Sequence, residues 1–168
     1  SQATATPVVY GDKIYVGAGG GMQVGSTNGN LFAVDANTLE YLYEVPLKGY
    51  PQGSILISTA YLAETGKLYC YSTYNNMPGG MTLLKIDPNA TTIEGVEVEE
   101  IYDAAKYPQY CLISPICGPD GTLYYRNDSG TLIALTTNNA YLTDLTASVG
   151  TFSEDFAPGR HDYELVVP

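Results

Sequence analysis

The residues best suited to binding chemistry lie between positions 69 and 80, in the run YCYSTYNNMPGG. Tyrosine rings share this segment with amide side chains, a combination that suits sugars and extended peptides because stacking is joined to directional hydrogen bonds. Tyrosine is abundant throughout the chain, so ordinary packing between strands is the alternative interpretation. The sequence predicts a ligand-binding role for four residues of this run: Tyr71, Tyr74, Asn75 and Asn76.

Acidic side chains occur in two clusters that could supply oxygen ligands to a cation. Neither cluster has the Asp-x-Asp-x-Asp-Gly spacing of a calcium loop. We therefore predict solvated acidic faces and no metal site, with weak calcium binding as the alternative. The clusters are Glu97, Glu99 and Glu100, and Glu154, Asp155, Asp162 and Glu164.

The three cysteines, Cys70, Cys111 and Cys117, have no Cys-x-x-Cys spacing, and His161 is the single histidine that could join them. A zinc site is therefore disfavoured. Buried free thiols are the expected state, and one disulfide involving Cys117 is the alternative. Because His161 belongs to no nucleophile motif, it is expected in a surface turn, and no catalytic residue is predicted.

Glycines cluster at residues 17–21, but a phosphate-binding loop requires a helix N-terminus directly after it. The residues that follow, 22–25, lead to another strand pattern instead. We expect a flexible loop between two strands here.

The overall composition excludes several classes of partner. The chain carries 18 acidic and 7 basic residues, and its net charge of −11 repels nucleic-acid phosphates and anionic lipid surfaces. No apolar run approaches the roughly 20 residues of a membrane-spanning helix. We expect no nucleic acid and no membrane insertion. The 45% of hydrophobic residues suffices for a sizeable core.

The elements that must position these residues recur along the chain. A glycine-containing turn followed by an apolar residue and a tyrosine appears three times, ending at Tyr15, Tyr69 and Tyr124, with a period of roughly 54 residues. One short apolar strand precedes each of these strands and another follows it, and the first two repeats also show a fourth strand. The innermost strands are predicted at Val8-Val9, Ala60-Tyr61 and Ile116-Cys117, the third strands at 29–35, 80–87 and 130–136, and the fourth strands at 41–45 and 96–101.

These patterns predict an all-β chain in which residues 4–137 form three four-stranded antiparallel blades. Only residues 102–107 could make a turn of helix. Asp35 and Asp87 end equivalent strands, so we expect them to accept backbone hydrogen bonds in the following turns. Six apolar side chains are expected to be buried between adjacent blades. They are Leu31, Ala33, Leu83, Ile86, Leu132 and Leu135.

The run from Gly29 to Glu40, GNLFAVDANTLE, resembles the repeat of pyrroloquinoline-quinone-like β-propellers, the quinoprotein alcohol dehydrogenase-like class. That repeat has a glycine, an apolar-aromatic-Ala-apolar-Asp strand, a Thr-Gly turn and a tryptophan. Here Leu39 stands where the second glycine is expected, and the chain has no tryptophan. The resemblance implies a partial β-propeller. Because an active quinone dehydrogenase of this type needs a tryptophan-lined slot, calcium ligands and a catalytic Asp, it also implies no bound cofactor and no enzymatic activity.

The tail has no counterpart in the three repeats and is similar to the opening of a bacterial cadherin-like β-sandwich module. The match consists of Leu145, Gly150, Phe156, Pro158, Tyr163 and Val167-Pro168. It covers residues 142–168, the first part of such a module. We therefore expect propeller blades over residues 1–138 and a truncated cadherin-like start over residues 139–168.

Together these features predict a non-catalytic interaction or scaffold module of a bacterial secreted or cell-surface multidomain protein. A carbohydrate-binding module, a remnant of a quinone-dependent dehydrogenase and an assembly factor for outer-membrane proteins are the alternatives. Expected partners are other domains of the parent protein, or a protein or glycan ligand. Three blades are fewer than the roughly four to eight that close a propeller, so two apolar blade faces should stay open and support self-association.

Overall fold

The structure is a computed structural model that describes residues 3–19 and 29–136. Over these ranges the chain is all-β, with three antiparallel sheets, none of them closed, and one short helix. All three sheets belong to one compact unit that ends at Leu135.

Sheet 1 has four strands that neighbour one another in chain order. They are β1 (Val8–Tyr10), β2 (Lys13–Gly19), β3 (Gly29–Asp35) and β4 (Tyr41–Leu47). Val, Ile, Tyr and Phe are frequent in these strands, as expected for residues that pack well on a pleated surface. The β1–β2 hairpin turns at Gly11, whose φ of 59° is costly for residues with a side chain.

Sheet 2 repeats the four-stranded meander. Its strands are β5 (Leu56–Ser58), β6 (Leu68–Tyr74), β7 (Gly80–Ile86) and β8 (Val96–Asp103). The helix α1 (Leu62–Thr65) lies between β5 and β6 and ends at Gly66 in the left-handed conformation. A single 3₁₀ turn, Ile93–Gly95, precedes β8. No helix forms over residues 102–107: residues 102 and 103 belong to β8, and the Tyr107 N–H donates to the Ala104 carbonyl at 2.8 Å in a single turn.

The innermost strand predicted at Ala60-Tyr61 was wrong, since β5 ends at Ser58 and these two residues enter α1 instead. The Tyr61 carbonyl accepts hydrogen bonds from both the backbone N–H and the hydroxyl of Thr65, at 2.9 and 2.8 Å, which closes a helical turn. The Tyr61 ring then lies against Tyr69 of β6, with ring centroids 4.7 Å apart.

Sheet 3 has three strands, β9 (Ile116–Cys117), β10 (Leu123–Arg126) and β11 (Leu132–Leu135). The prediction of four strands per repeat is therefore met in two sheets, whereas the third sheet has three within the described residues. The tyrosines predicted on the second strand of each repeat, Tyr15, Tyr69 and Tyr124, lie on β2, β6 and β10 as expected.

Strand register defines two faces that are equivalent in all three sheets. The pairs Ile14↔Val34, Leu68↔Ile86 and Leu123↔Leu135 occupy the same place in each repeat. We call the side of each sheet that bears these paired residues face B. The opposite side, which bears Tyr15, Tyr69 or Tyr124, is face A, because successive strand residues point to opposite sides.

The sheets pack in one direction, with face A of each sheet against face B of the next. Face A of sheet 1 shares an apolar cluster with face B of sheet 2, and face A of sheet 2 shares a second cluster with face B of sheet 3. The first contact contains Tyr15, Leu31, Ala33, Leu68, Cys70 and Leu84. The second contains Tyr71, Met81, Leu123, Tyr125 and Ile133.

The predicted core is confirmed at four of six positions. Leu31, Ala33, Leu83 and Ile86 are all buried. Leu132 was predicted to be buried and is 60% exposed, while Leu135 is half-buried. The cause of the Leu132 error is its place on face A of sheet 3, which no described sheet covers.

Candidate interaction site

Tyr71 and Tyr74, the two aromatic residues of the predicted ligand site, both lie on β6. The Tyr74 ring is fully buried, and its hydroxyl donates a hydrogen bond to the Glu100 carboxylate of β8. Burial and this bond raise the pKa of Tyr74. Tyr71 is half-buried against the cluster shared with sheet 3, and burial raises its pKa too. Neither ring lies open on the surface.

The two asparagines of the predicted site bind the segment that connects sheet 1 to sheet 2. Asn75 pairs through its backbone with Tyr50, and its Nδ2 donates to Oε1 of Gln52 at 2.6 Å. Asn76 Nδ2 donates to the carbonyl oxygen of Lys48 at 3.1 Å. Tyr74 therefore forms its side-chain bond within sheet 2, whereas Asn75 and Asn76 bond to the segment that connects sheet 1 to sheet 2.

A four-residue cluster, which we call the Lys48 clamp, joins the end of sheet 1 to β8. Lys48 Nζ donates to both oxygens of Glu100, at 2.7 and 2.8 Å, and lies 3.4 Å from Oδ2 of Asp103. Tyr74 completes the clamp through its bond to Glu100. Burial raises the pKa of Glu100, but the bonds from Lys48 and Tyr74 outweigh burial, so the net pKa is lowered.

Gly80 permits this arrangement, because a Cβ at that position would overlap the Tyr74 hydroxyl and the Tyr102 carbonyl. Sequence reasoning missed the clamp. Lys48 stands alone after β4 and Glu100 lies within an acidic run, and no local pattern joins two groups 52 positions apart.

The acidic face predicted on β8 consists of paired carboxylates. Glu97 forms an ion pair with Lys67, which directly precedes β6, and Glu99 Oε2 lies 3.3 Å from Nζ of Lys85 on β7. Both glutamates are exposed, as predicted. The pKa of Glu97 is lowered by its hydrogen bond from Lys67. Glu154, Asp155, Asp162 and Glu164 lie outside the described residues, as do His161 and the whole predicted cadherin-like start.

Asp35 and Asp87 have the turn-forming role that the sequence predicted. Asp35 Oδ1 accepts from the backbone N–H groups of Asn37 and Thr38, each at 2.8 Å. These two bonds lower the pKa of the Asp35 carboxyl. Asp87 Oδ1 accepts from the backbone N–H of Asn89 at 2.8 Å.

The three cysteines are free thiols. Cys70 and Cys111 are buried as expected, whereas Cys117 is exposed on β9. The alternative of a disulfide through Cys117 does not occur in the structure. Burial raises the pKa of Cys70 to about 12 and raises that of Cys111 as well.

Within the described ranges, no group of three or more His, Cys, Asp or Glu side chains is arranged to hold a metal ion. Among the same residues, no helix is long and apolar enough to cross a membrane. Gly17 and Gly19 of the glycine-rich segment belong to β2, and residues 20–28 of the expected loop lie outside the described part.

Two apolar sheet faces stand at the ends of the stack. Face B of sheet 1 carries a row that crosses all four strands, with its two outer members 62% and 60% exposed. Face A of sheet 3 carries a row across three strands in which Ile116 is exposed, and Leu132, elsewhere on the same face, is exposed as well. The first row is Val9, Ile14, Val34 and Tyr41, and the second is Ile116, Tyr124 and Ala134.

No protein-family model matches this chain, and no curated protein matches it. Its most distinctive surfaces are the two end faces.

Proposed function

We propose that the chain is a non-catalytic interaction or scaffold module of a bacterial secreted or cell-surface protein, and that its three sheets are consecutive blades of a β-propeller. The resemblance of residues 29–40 to the pyrroloquinoline-quinone-like repeat motivates the propeller assignment. The similarity of residues 142–168 to a cadherin-like start motivates the assignment to a multidomain surface protein.

The observation that carries the proposal is the directional packing of the sheets. Each internal contact joins face A of one sheet to face B of the next, which is a heterologous contact. A heterologous contact leaves one unpaired face at each end of an open array, and both end faces are covered only if the array closes into a ring. Contiguous apolar faces left at such ends are typical of surfaces that bind another polypeptide.

The chemistry of the polar side chains supports a structural use of the remaining conspicuous residues. The Asp35 and Asp87 carboxylates hold turns, and Glu100 holds the Lys48 clamp. Carboxylates that form such intramolecular hydrogen bonds stabilise the sheets and their turns. The end faces, by contrast, present exposed apolar side chains such as Val9 and Ile116.

Site-specific photo-crosslinking tests this function. A benzophenone amino acid is placed at Tyr41 on face B of sheet 1, at Leu132 on face A of sheet 3, and at the control position Ile93, all of which are exposed. The chain is expressed in the cells that make it, irradiated, and its covalent adducts are separated by mass. We expect protein adducts from Tyr41 and Leu132 and none from Ile93. Equal adduct yields at all three positions, or none at the two faces, would refute the proposal.

Carbohydrate binding is a second candidate, favoured by an aromatic pair that lies outside the four predicted site residues. Tyr61 is exposed and stacks on Tyr69, and Lys85 Nζ lies 5.8 Å from the Tyr69 ring centroid. Glu99 lies beside Lys85, so an aromatic surface is flanked by a charged donor and a charged acceptor. Sugar binding sites combine these features.

A glycan array decides this second candidate. The wild-type chain and its Tyr61→Ala variant are probed on the same array. A sugar signal that disappears in the variant supports the carbohydrate function, and silence of the wild-type chain eliminates it. The four residues of the original loop stay a prediction, since three of them are bound into the protein through their polar atoms.

A further inference from the structure

The partner that fits the two end faces can be deduced from the contacts inside the chain, on the basis of the function proposed above. Val34, Ile86 and Leu135 are equivalent residues on face B of the three sheets. The leucine three positions before each of them therefore lies on face A at an equivalent place in each repeat. These leucines are Leu31, Leu83 and Leu132. The three side chains are 1%, 7% and 60% exposed, respectively. Only the last sheet lacks a described neighbour on face A.

Face B of sheet 1 shows the opposite relation. Ile14 and Val34 are the equivalents of Leu68 and Ile86, which are fully buried against sheet 1. Ile14 and Val34 are only half-buried. The face that should receive a preceding sheet is therefore apolar and incompletely covered.

The two end faces are thus the two halves of a contact that the chain already makes twice. Face A of sheet 3 is equivalent to the faces of sheets 1 and 2 that pack against a face B. Face B of sheet 1 is equivalent to the faces of sheets 2 and 3 that pack against a face A. Their charges are also opposite. Arg126 pairs with Leu132 on face A, and Glu44 pairs with Phe32 on face B, and both charged side chains are exposed.

We propose that the occupant of these faces is a second copy of this chain, docked head to tail with face A of sheet 3 against face B of sheet 1. Two copies joined by both contacts supply twice three sheets, which lies within the roughly four to eight blades of closed propellers. A two-fold ring of this kind buries both apolar end faces of each chain.

Light scattering coupled to gel filtration tests the proposal with matched variants of the full 168-residue chain. Leu132→Asp damages face A of sheet 3, Val9→Asp damages face B of sheet 1, and Ile93→Asp is the control at an exposed apolar site outside both faces. The wild type and the control should elute at twice the 18.0 kDa mass of one chain. Each face variant alone should elute as a single chain, with an unchanged circular dichroism spectrum.

An equimolar mixture of the two face variants gives the decisive result. The Leu132→Asp copy keeps an intact face B and the Val9→Asp copy keeps an intact face A, so the mixture should regain a two-chain species. A contact between two identical faces would instead respond to only one of the variants and would gain nothing on mixing, which would overturn the head-to-tail geometry.

A wild-type chain that stays at 18.0 kDa at high concentration would overturn the second-copy proposal outright. Crosslinks from Tyr41 and Leu132 to a different protein would then still support an interaction module. A monomeric wild type together with no crosslinks from Tyr41 and Leu132 would also reject the interaction module. The two experiments therefore test the identity of the partner and the proposed function separately.

Discussion

Leu39 holds a backbone conformation that residues with a side chain rarely take, with φ at 62°. It lies in the turn between β3 and β4, where its N–H donates to the Asp35 carbonyl at 2.9 Å. This is the position at which the resembling propeller repeat has glycine. A left-handed residue with a Cβ costs about 1–2 kcal/mol, so the sequence departs from the repeat at a conformational cost.

Leu39→Gly should therefore stabilise the protein. Relief of the left-handed strain exceeds the roughly 0.5–1 kcal/mol that glycine loses in chain entropy, and the exposed leucine side chain sacrifices little packing. We expect a gain of about 0.5–1 kcal/mol in the free energy of unfolding, measured by urea denaturation. Leu39→Ala keeps the Cβ and should change stability by under about 0.5 kcal/mol. Equal effects of the two variants would contradict the strain argument.

The Lys48 clamp gives a pH dependence that can be measured. The Glu100 pKa is lowered in the folded protein from its usual 4.5, so the ionised carboxylate stabilises the fold above that value. This contribution is lost as the pH falls through the lower folded pKa. Glu100→Gln should cost about 1 kcal/mol at pH 7, and the difference from wild type should shrink progressively below pH 4.5.

Glu64→Gln on α1 is the matched control, because it removes the same charge from an exposed glutamate that has no ion pair among the described residues. Its effect on the free energy of unfolding at pH 7 should be small. A pH profile of Glu100→Gln that runs parallel to wild type down to pH 3 would show that the clamp contributes nothing through its charge.

The cysteines should differ sharply in reactivity. Because thiolate is the reactive form, the raised pKa values of Cys70 and Cys111 and their burial protect both from a disulfide reagent at pH 8. Cys117 is exposed and should react alone in the folded protein, whereas all three should react in denaturant. Cys117→Ser should abolish the fast phase, and a fast phase that survives this substitution would place a different thiol on the surface.

The positions of the strands were easier to predict from the sequence than which face of each sheet is buried. The third strand of the first repeat was predicted at 29–35 and β3 has those bounds, because β-branched and aromatic residues there are bracketed by turn residues. Asp35 was likewise assigned correctly, since its turn bonds are local. Ala60-Tyr61 failed because alignment to the other repeats outweighed a local helical turn that ends at Gly66.

The exposure of Leu132 could not be predicted, since both faces of a stacked sheet are apolar and alternation alone does not reveal which face has a neighbour. The same physical reason hid the Lys48 clamp and the inward direction of Tyr74. Each depends on which sheets meet in space, and no periodicity within a strand carries that information.

Alanine substitutions at the three equivalent leucines, Leu31, Leu83 and Leu132, test whether face A of each sheet is covered. Leu31→Ala and Leu83→Ala should each cost about 2–5 kcal/mol, because both side chains are buried. Leu132→Ala should cost under about 0.5 kcal/mol at a concentration where the chain is monomeric, since its side chain is largely exposed. Equal losses at Leu83 and Leu132 would mean that face A of sheet 3 is covered within one chain.

At the scale of the molecule, sheet 2 differs from its neighbours because it contributes to both apolar clusters. Sheets 1 and 3 each share one cluster, so within the described residues they each have one covered face. In a linear stack, stability is approximately the sum of the units and of the contacts between neighbours. Local opening should consequently be most costly in the middle of the stack.

Amide hydrogen exchange should reveal this order. In dilute solution, where the chain is monomeric, the amides of β7 should exchange most slowly, because this strand is central in sheet 2 and six of its seven residues are buried. The amides of β3 and β10, central strands of the outer sheets, should exchange faster. At concentrations that favour the head-to-tail pair, β3 and β10 should gain protection because their free faces become covered, whereas β7 should change little. Slower exchange in β10 than in β7 at high dilution would show that the third sheet is not an end of the stack.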